Sequence, residues 1–329
     1  MKPVVLGAAG FLGVNLVDAL RDAGIEPLCG RRRRENVLPL RKRKVPMCIV
    51  ELDEVDVLTE AMEGCDTVFH AAAHYPRYSH DYDEVIQLGV QQTQNALDGA
   101  VRAKVSRFVF VSTTATVAPA PEGASTEQHL FAQPPGYGLY HDLKWEMEQL
   151  VLTEDRLQTL VGCPAGCLGP WDLRVATSAL IVAMARHVDP PHPDGIVNLV
   201  DVRDVGKGLV RMAQLDDPPK RVIFCGSSHQ LHPLMEQLAY RYNAPQPSAP
   251  LTIAAAIALA DAEEAKCAKE GGRAAISREI VDLIINSRVI DSSLAERSLG
   301  MEWTPLKDTL HAFDEFARRL RIIPPLDPG

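Results

Sequence analysis

A chain of 329 residues is longer than one hydrophobic core ordinarily serves, so a large main domain with a smaller appended lobe is expected. With 46% hydrophobic and 23% charged residues, the composition excludes a disordered, collagen-like or coiled-coil chain. A formal net charge of -9 offers no global attraction to phosphate backbones or anionic lipid, which sets nucleic acid and membranes aside and leaves a small molecule as the expected partner.

Pro3 to Leu6 is a compact apolar run stopped by glycine, and Phe11 to Leu20 carries apolar residues at helical spacing as far as Gly24. Strand, tight turn and helix in that order open a βαβ unit. Glu26 to Cys29, Met47 to Leu52, Thr67 to Ala71 and Phe108 to Val111 read as strands two to five, with helices over Val57 to Met62 and Tyr82 to Lys104 among them. A helix over Tyr140 to Thr153 and a sixth strand over Gln158 to Val161 complete an alternation that predicts an α/β fold with a doubly wound parallel sheet. The dinucleotide-binding domain is placed at 1–161. Residues 162–329 are expected to form mainly a smaller α+β substrate lobe, with short strands at Ile196 to Leu199 and Arg221 to Phe224 and helices at 203–214, 231–243, 252–270, 277–286 and 306–320. The core sheet is expected to end near Val161, with a return of the chain to it near 196–225 left open.

Seven cysteines spread through apolar segments suit reduced core thiols better than a disulfide framework, and predict a reducing compartment. Cys163 and Cys167 lack companion ligands, so no metal is expected. No apolar stretch near the start is long enough for a signal or a membrane span, which predicts a cytoplasmic protein.

Glycines at every third position join the first strand to its helix: Gly7, Gly10 and Gly13, with Ala9, Phe11 and Leu12 in the same loop. The first glycine permits the tight turn, the second lets backbone N–H groups approach a pyrophosphate, and the third allows close packing of helix on strand. The loop is read as a nucleotide site. Where a second strand ends, an acidic residue reads the ribose of NAD and a basic one accommodates the 2′-phosphate of NADP. Here Leu28-Cys29-Gly30 runs into Arg31, Arg32, Arg33 and Arg34. Arg31 and Arg32 therefore predict NADP(H) over NAD(H), while Arg41 to Lys44 reads as a solvated loop.

Tyr140 and Lys144 stand four residues apart, on one face of their helix. A phenol must move a proton near neutral pH to serve hydride chemistry, and a nearby ammonium stabilises its phenolate. Ser112, Thr113 and Thr114 follow the fifth strand, where such sheets present ligand-contacting groups. One of the three is expected to bond the substrate oxygen, and the other two to cap the strand end.

These features together resemble an extended short-chain dehydrogenase/reductase. The matches are the G-x-x-G-x-x-G at 7–13, Gly64-Cys65-Asp66 leading into Val68-Phe69-His70-Ala71-Ala72-Ala73, the Tyr140/Lys144 pair, Gly169-Pro170, Asn198-Leu199-Val200-Asp201-Val202-Arg203-Asp204-Val205, and Leu299-Gly300 near the end. Within that family the chain most resembles the branch of dihydroflavonol-reductase-like and hopanoid-associated epimerase-like proteins. The resemblance implies a Rossmann domain with a C-terminal substrate lobe, and commonly a homodimer, here through helices 82–104 and 140–153. It implies Tyr140 as acid/base, Lys144 also on the nicotinamide ribose, and Thr114 as the catalytic hydroxyl. It further implies Ala71, Ala72, Ala73 and Ser112 along the dinucleotide, Glu51 and Leu52 near the adenine, and Pro164 and Gly166 over the nicotinamide. The chain departs from the family at Leu88-Gly89-Val90-Gln91-Gln92-Thr93, where an asparagine is missing, and at Cys163 to Leu168, which lacks the arginine and asparagine common in nucleotide-sugar enzymes.

The loop after His70 is rich in rings, with His74, Tyr75 and Tyr78 expected over the substrate and Trp171 expected on the opposite wall, together an apolar pocket. The expected activity is NAD(P)H-dependent reduction of a hydrophobic ketone, aromatic or polycyclic ones included, or oxidation of the alcohol. The alternative is a nucleotide-sugar epimerase or dehydratase with tightly bound NAD.

Overall fold

The computed structural model describes residues 1–72, 82–272, 274 and 276–325. Its first half runs β1 (Pro3–Leu6), α1 (Phe11–Asp22), β2 (Leu28–Arg31), α2 (Leu38–Arg43), β3 (Met47–Ile49), α3 (Val55–Met62), β4 (Thr67–His70), α4 (Tyr82–Arg102), β5 (Arg107–Val111), α5 (Leu139–Thr153) and β6 (Gln158–Pro164). Its second half runs β7 (Gly166–Leu168), α6 (Ala179–Ala185), β8 (Ile196–Asp201), α7 (Val202–Gln214), β9 (Arg221–Phe224), β10 (Ser227–Gln230), α8 (Leu231–Tyr242), α9 (Ile253–Glu270), α10 (Arg278–Ile285), α11 (Ser293–Leu299) and α12 (Leu306–Arg319).

Seven parallel strands form the main sheet in the order β3-β2-β1-β4-β5-β6-β9. The α/β fold with its doubly wound Rossmann sheet is therefore as the strand and helix periodicity predicts. Strands such as β1 and β4 are buried along their whole length, because helices cover both faces and leave no polar side to alternate with. The strand order reverses between β1 and β4, which opens a crevice beyond their carboxyl ends. A second sheet, β10-β8-β7, packs with α6, α8 and α12 around Met235 and Phe313, and α9 with α10 forms a third small core around Ala260 and Val281.

Three expectations are corrected. The sheet does not end at β6: the return of the chain left open at 196–225 takes place, with β9 pairing to β6 in parallel, Val161 against Arg221 through Pro164 against Phe224. The second strand lies two residues later than its apolar run suggests, since Pro27 has no N–H to give a ladder and pairing begins at Leu28. Arg41 to Lys44 is solvated apart from a half-buried Arg43, but it is no loop. Pro39 near its start and a left-handed Lys44 (φ 55°) at its end frame the helix α2, whose Leu40 is fully buried. From α2, Arg43 reaches back to Asp18 on α1 through two bonds of 2.6 Å. Among the described residues no helix is long and apolar enough to cross a membrane.

Candidate active site

The loop between β1 and α1 is shaped by contacts that tolerate no side chain. Gly7 sits at φ 81°, and a Cβ there would lie 2.8 Å from the Ala72 nitrogen and 2.9 Å from the Ala71 oxygen. A Cβ on Gly13 would overlap the Gly7 carbonyl oxygen. Gly10 caps α1 without a side-chain bond to its N–H groups, so the positive end of the helix, at Phe11 and Leu12, is left to an outside anion. Ala9 flanks this turn, and Ala71, whose N–H donates to Leu6 O at 3.0 Å, brings Ala72 beside it. The cradle fits a pyrophosphate by shape and by charge.

The adenosine end is set by the tips of β2 and β3. Arg31 closes β2 and is half-buried, with Nη1 donating to Arg32 O at 3.3 Å. Arg32 is exposed, and its guanidinium lies 3.7 Å from Glu35. Arg33, to which the sequence assigned nothing, is the most engaged of the run. Its backbone N–H donates to Glu51 Oε1 at 2.8 Å and its guanidinium grips both oxygens of Glu54. That side-chain bond, made in full solvent, raises the arginine and lowers the carboxyl from their usual values. Leu52 beside them accepts from Asn95 Nδ2 at 2.8 Å through its carbonyl. Across the cleft, Pro164 ends β6 and Gly166 starts β7 with its Cα so near β8 that a Cβ would lie 2.9 Å from Asn198 O.

The catalytic candidates share α5. Tyr140 is half-buried, edge-on to His141 at 6.3 Å between ring centroids. One turn on, Lys144 is buried, with Nζ donating to Val111 O at 3.1 Å and standing 5.1 Å from the Phe110 ring centre. Burial pushes its amine down to about 8, with Glu148 and Cys163 pulling the other way. Thr114 opens a single 3₁₀ turn, Thr114–Thr116, whose N-cap Thr113 accepts from the Ala115 N–H at 3.2 Å. Ser112 donates its hydroxyl inward, to Glu148. Thr114, half-buried, is thus on the rim while its two neighbours make bonds within the protein.

Sequence reasoning missed the group beneath. Glu148 is 1% exposed. It accepts from Arg221 Nε at 2.7 Å, and its other oxygen lies 2.6 Å from Thr116 Oγ1. Arg221 also donates to the carbonyls of Glu127 at 3.0 Å and Thr116 at 3.1 Å. The spacing 140, 144, 148 on one helix face was the available signal; the partner 73 positions away was not. His70, at the end of β4, is also buried, wedged against Phe108 and Phe110 at 5.7 Å each. Neither ring nitrogen has a hydrogen-bond partner among the described residues. Burial, then the Lys144 charge, pushes its imidazole down to about 3, so it is neutral.

Ala73, a cofactor candidate, and His74, Tyr75 and Tyr78 among the substrate candidates lie outside the described residues. Trp171, at φ 80°, packs beneath the Arg43 guanidinium, 4.4 Å from its ring centre, and against Phe316 at 5.4 Å. Near the start of α5, a hollow of about 360 Å³ is lined by residues that include Tyr82, Tyr137, Asp142, Arg278 and Asp282.

Residues 4–226 match the family described as NAD dependent epimerase/dehydratase. A protein of Synechocystis sp. named for a dihydroflavonol 4-reductase is 26% identical over 93% of this chain and 91% of its own. Sterol demethylase protein B of Methylococcus capsulatus is 31% identical over 62% of this chain and 63% of its own. Among solved structures, a nucleoside-diphosphate-sugar epimerase from Pseudomonas aeruginosa superposes with a TM-score of 0.81 at 23% identity, covering 98% of this chain and 99% of that one. The chain belongs to the NAD dependent epimerase/dehydratase family, within the extended short-chain dehydrogenases/reductases, and is an NAD(P)-dependent enzyme of the oxidoreductase/epimerase type.

Proposed function

We propose that this chain is an NADP(H)-dependent reductase of a hydrophobic ketone, aromatic or polycyclic ones included, or runs the reverse oxidation of the alcohol. The observation that carries the reading is the pairing of Tyr140 with Lys144, one turn apart on α5, the latter pinned to Val111 O beside Thr114. The nicotinamide cofactor, when bound, supplies or accepts the hydride. Gly7, Gly10, Gly13 and the start of α1 would hold its pyrophosphate, Arg31 and Arg32 its 2′-phosphate, and Glu51 and Leu52 would flank the adenine. Ala71, Ala72 and Ser112 would line its path and Pro164 and Gly166 would close over the nicotinamide, an assignment the sequence also gives to Ala73. Thr114 orients the substrate oxygen by a hydrogen bond. As that oxygen gains negative charge, Tyr140 gives it the phenolic proton, and the Lys144 ammonium stabilises the phenolate left behind.

The apolar substrate class rests on the sequence alone, on the ring side chains of His74, Tyr75, Tyr78 and Trp171 and on the missing arginine and asparagine before Gly169-Pro170. The names of the two relatives, dihydroflavonol 4-reductase and sterol demethylase protein B, support it. A two-lobe division near residue 161 and a homodimer through α4 and α5 belong to the same reading.

The test is consumption of NADPH with a panel of aryl and fused-ring ketones. Tyr140→Phe, which keeps the ring and removes the proton, is expected to cut turnover by about 10²–10⁴ with cofactor affinity unchanged. Micromolar binding of a UDP- or GDP-sugar in calorimetry, with no ketone reduced, would replace the reading by the epimerase/dehydratase alternative.

A further inference from the structure

A buried and fully bonded carboxylate lies beneath the groups assigned to the cleft. Glu148 lies one helical turn beyond Lys144 and has both carboxylate oxygens engaged, by Ser112, Thr116 and Arg221, with Cys163 Sγ at 3.8 Å. These partners come from four places: the end of β5, the 3₁₀ turn after it, β6 and β9. Arg221 in turn holds the turn through Thr116 O and the 127 segment through Glu127 O. Glu127 closes the circuit by accepting from the Ile223 N–H at 2.9 Å. Core packing alone does not call for an ion pair here, because apolar residues of similar volume serve as well or better in such positions. Glu148 is kept at that cost one helical turn from the buried Lys144 ammonium.

We propose that the Glu148–Arg221 pair is a positioning device for Lys144. Glu148 holds the ammonium in its charged form beside Tyr140, and Arg221 holds Glu148 in place while balancing its charge toward β9. The inference rests on the reading of Lys144 as the group that tunes Tyr140. The groups that face Lys144 are Tyr140 and Glu148 along α5, the neutral His70 on β4 and Cys163 on β6, whose thiol burial pushes up to about 12. Glu148 is therefore the anion among them, and Arg221 stands behind it on β9. Burial favours the neutral amine, and the nearby carboxylate opposes that drift.

The experiment reads Lys144 directly, by NMR titration of the chain labelled with [13Cε]lysine, the resonance assigned by its loss in Lys144→Met. Glu148→Gln is expected to lower the Lys144 midpoint by about one pH unit or more, a tenfold or larger rise in its acid constant. Glu148→Asp, which keeps the charge, is expected to restore most of that shift. Should Glu148→Gln fail to fold, the paired Glu148→Leu, Arg221→Met protein removes both charges together, and its midpoint is expected below that of the unaltered chain. A Lys144 midpoint that stays in place in a folded Glu148→Gln or paired variant overturns the proposal. No substrate enters the titration. A chain that titrates as expected and reduces no ketone refutes the proposed function alone, and unchanged midpoints in a working reductase refute the pair's role alone.

Discussion

His70 and His141 are buried as neutral imidazoles, pushed down to about 3 and about 4 by desolvation. Between those values and the free value near 6.5, the unfolded chain takes up protons that the folded chain refuses. Stability therefore falls as pH drops through this window, by up to about 1.4 kcal/mol per pH unit for each histidine. Urea midpoints at about pH 7 and about pH 5 are expected to differ accordingly, and His70→Leu with His141→Leu to flatten the difference; an unchanged slope in the double variant would assign the acid sensitivity to carboxylates. At the adenosine end, Arg31→Ala with Arg32→Ala is expected to weaken NADPH far more than NADH, by about 1.5–3 kcal/mol as charge-assisted bonds to the phosphate are lost. Equal binding of both cofactors by the unaltered chain would sink the preference. The candidacy of these two arginines was legible because a strand end is a local feature. The capture of Arg33 by Glu51 and Glu54 was not, since its partners stand 18 and 21 positions away and become neighbours only when β2 and β3 pair.

At the level of elements, α1 and α5 carry the site, and their glycines and charges answer to different constraints. Gly13→Ala would drive a methyl into the Gly7 carbonyl oxygen, a backbone atom that cannot step aside, so α1 must lift from β1 at about 1–3 kcal/mol. Dinucleotide affinity is expected to collapse with it. Gly24→Ala is the control: φ is 75°, yet nothing lies within 4 Å of the new Cβ. It is expected to cost about 1–2 kcal/mol of backbone strain and to leave cofactor titrations unchanged. Equal damage to binding by both substitutions would mean that the cradle's shape is unimportant. The glycine triplet was readable because its spacing is a property of one turn. The helix α2 was hidden by its charge, as Arg41 and Lys42 mask a turn anchored by Leu40. The short strands β7 and β10 were hidden because three or four residues carry too little alternation to register.

Over the whole molecule, the main sheet takes its last strand from the C-terminal half. A fragment ending at residue 165 would leave β6 as an unpaired edge and Glu148 without Arg221, an uncompensated buried charge worth about 3–5 kcal/mol. Such a fragment is expected to aggregate or to melt without cooperativity, and co-expression with residues 166–329 as a separate chain to rescue it. Cooperative melting and dinucleotide binding by the fragment alone would show the pairing to be dispensable. The alternation of strands and helices in the first half was readable because each βα step is local, whereas the return of β9 depends on a register across some sixty residues. The same separation has a meaning in time. At about 5–20 residues per second, a ribosome needs about 3–12 s to deliver Phe224 after Pro164. Throughout that interval the nascent sheet offers β6 as a bare hydrogen-bonding edge, which makes the unfinished chain a client for whatever holds nascent strands apart.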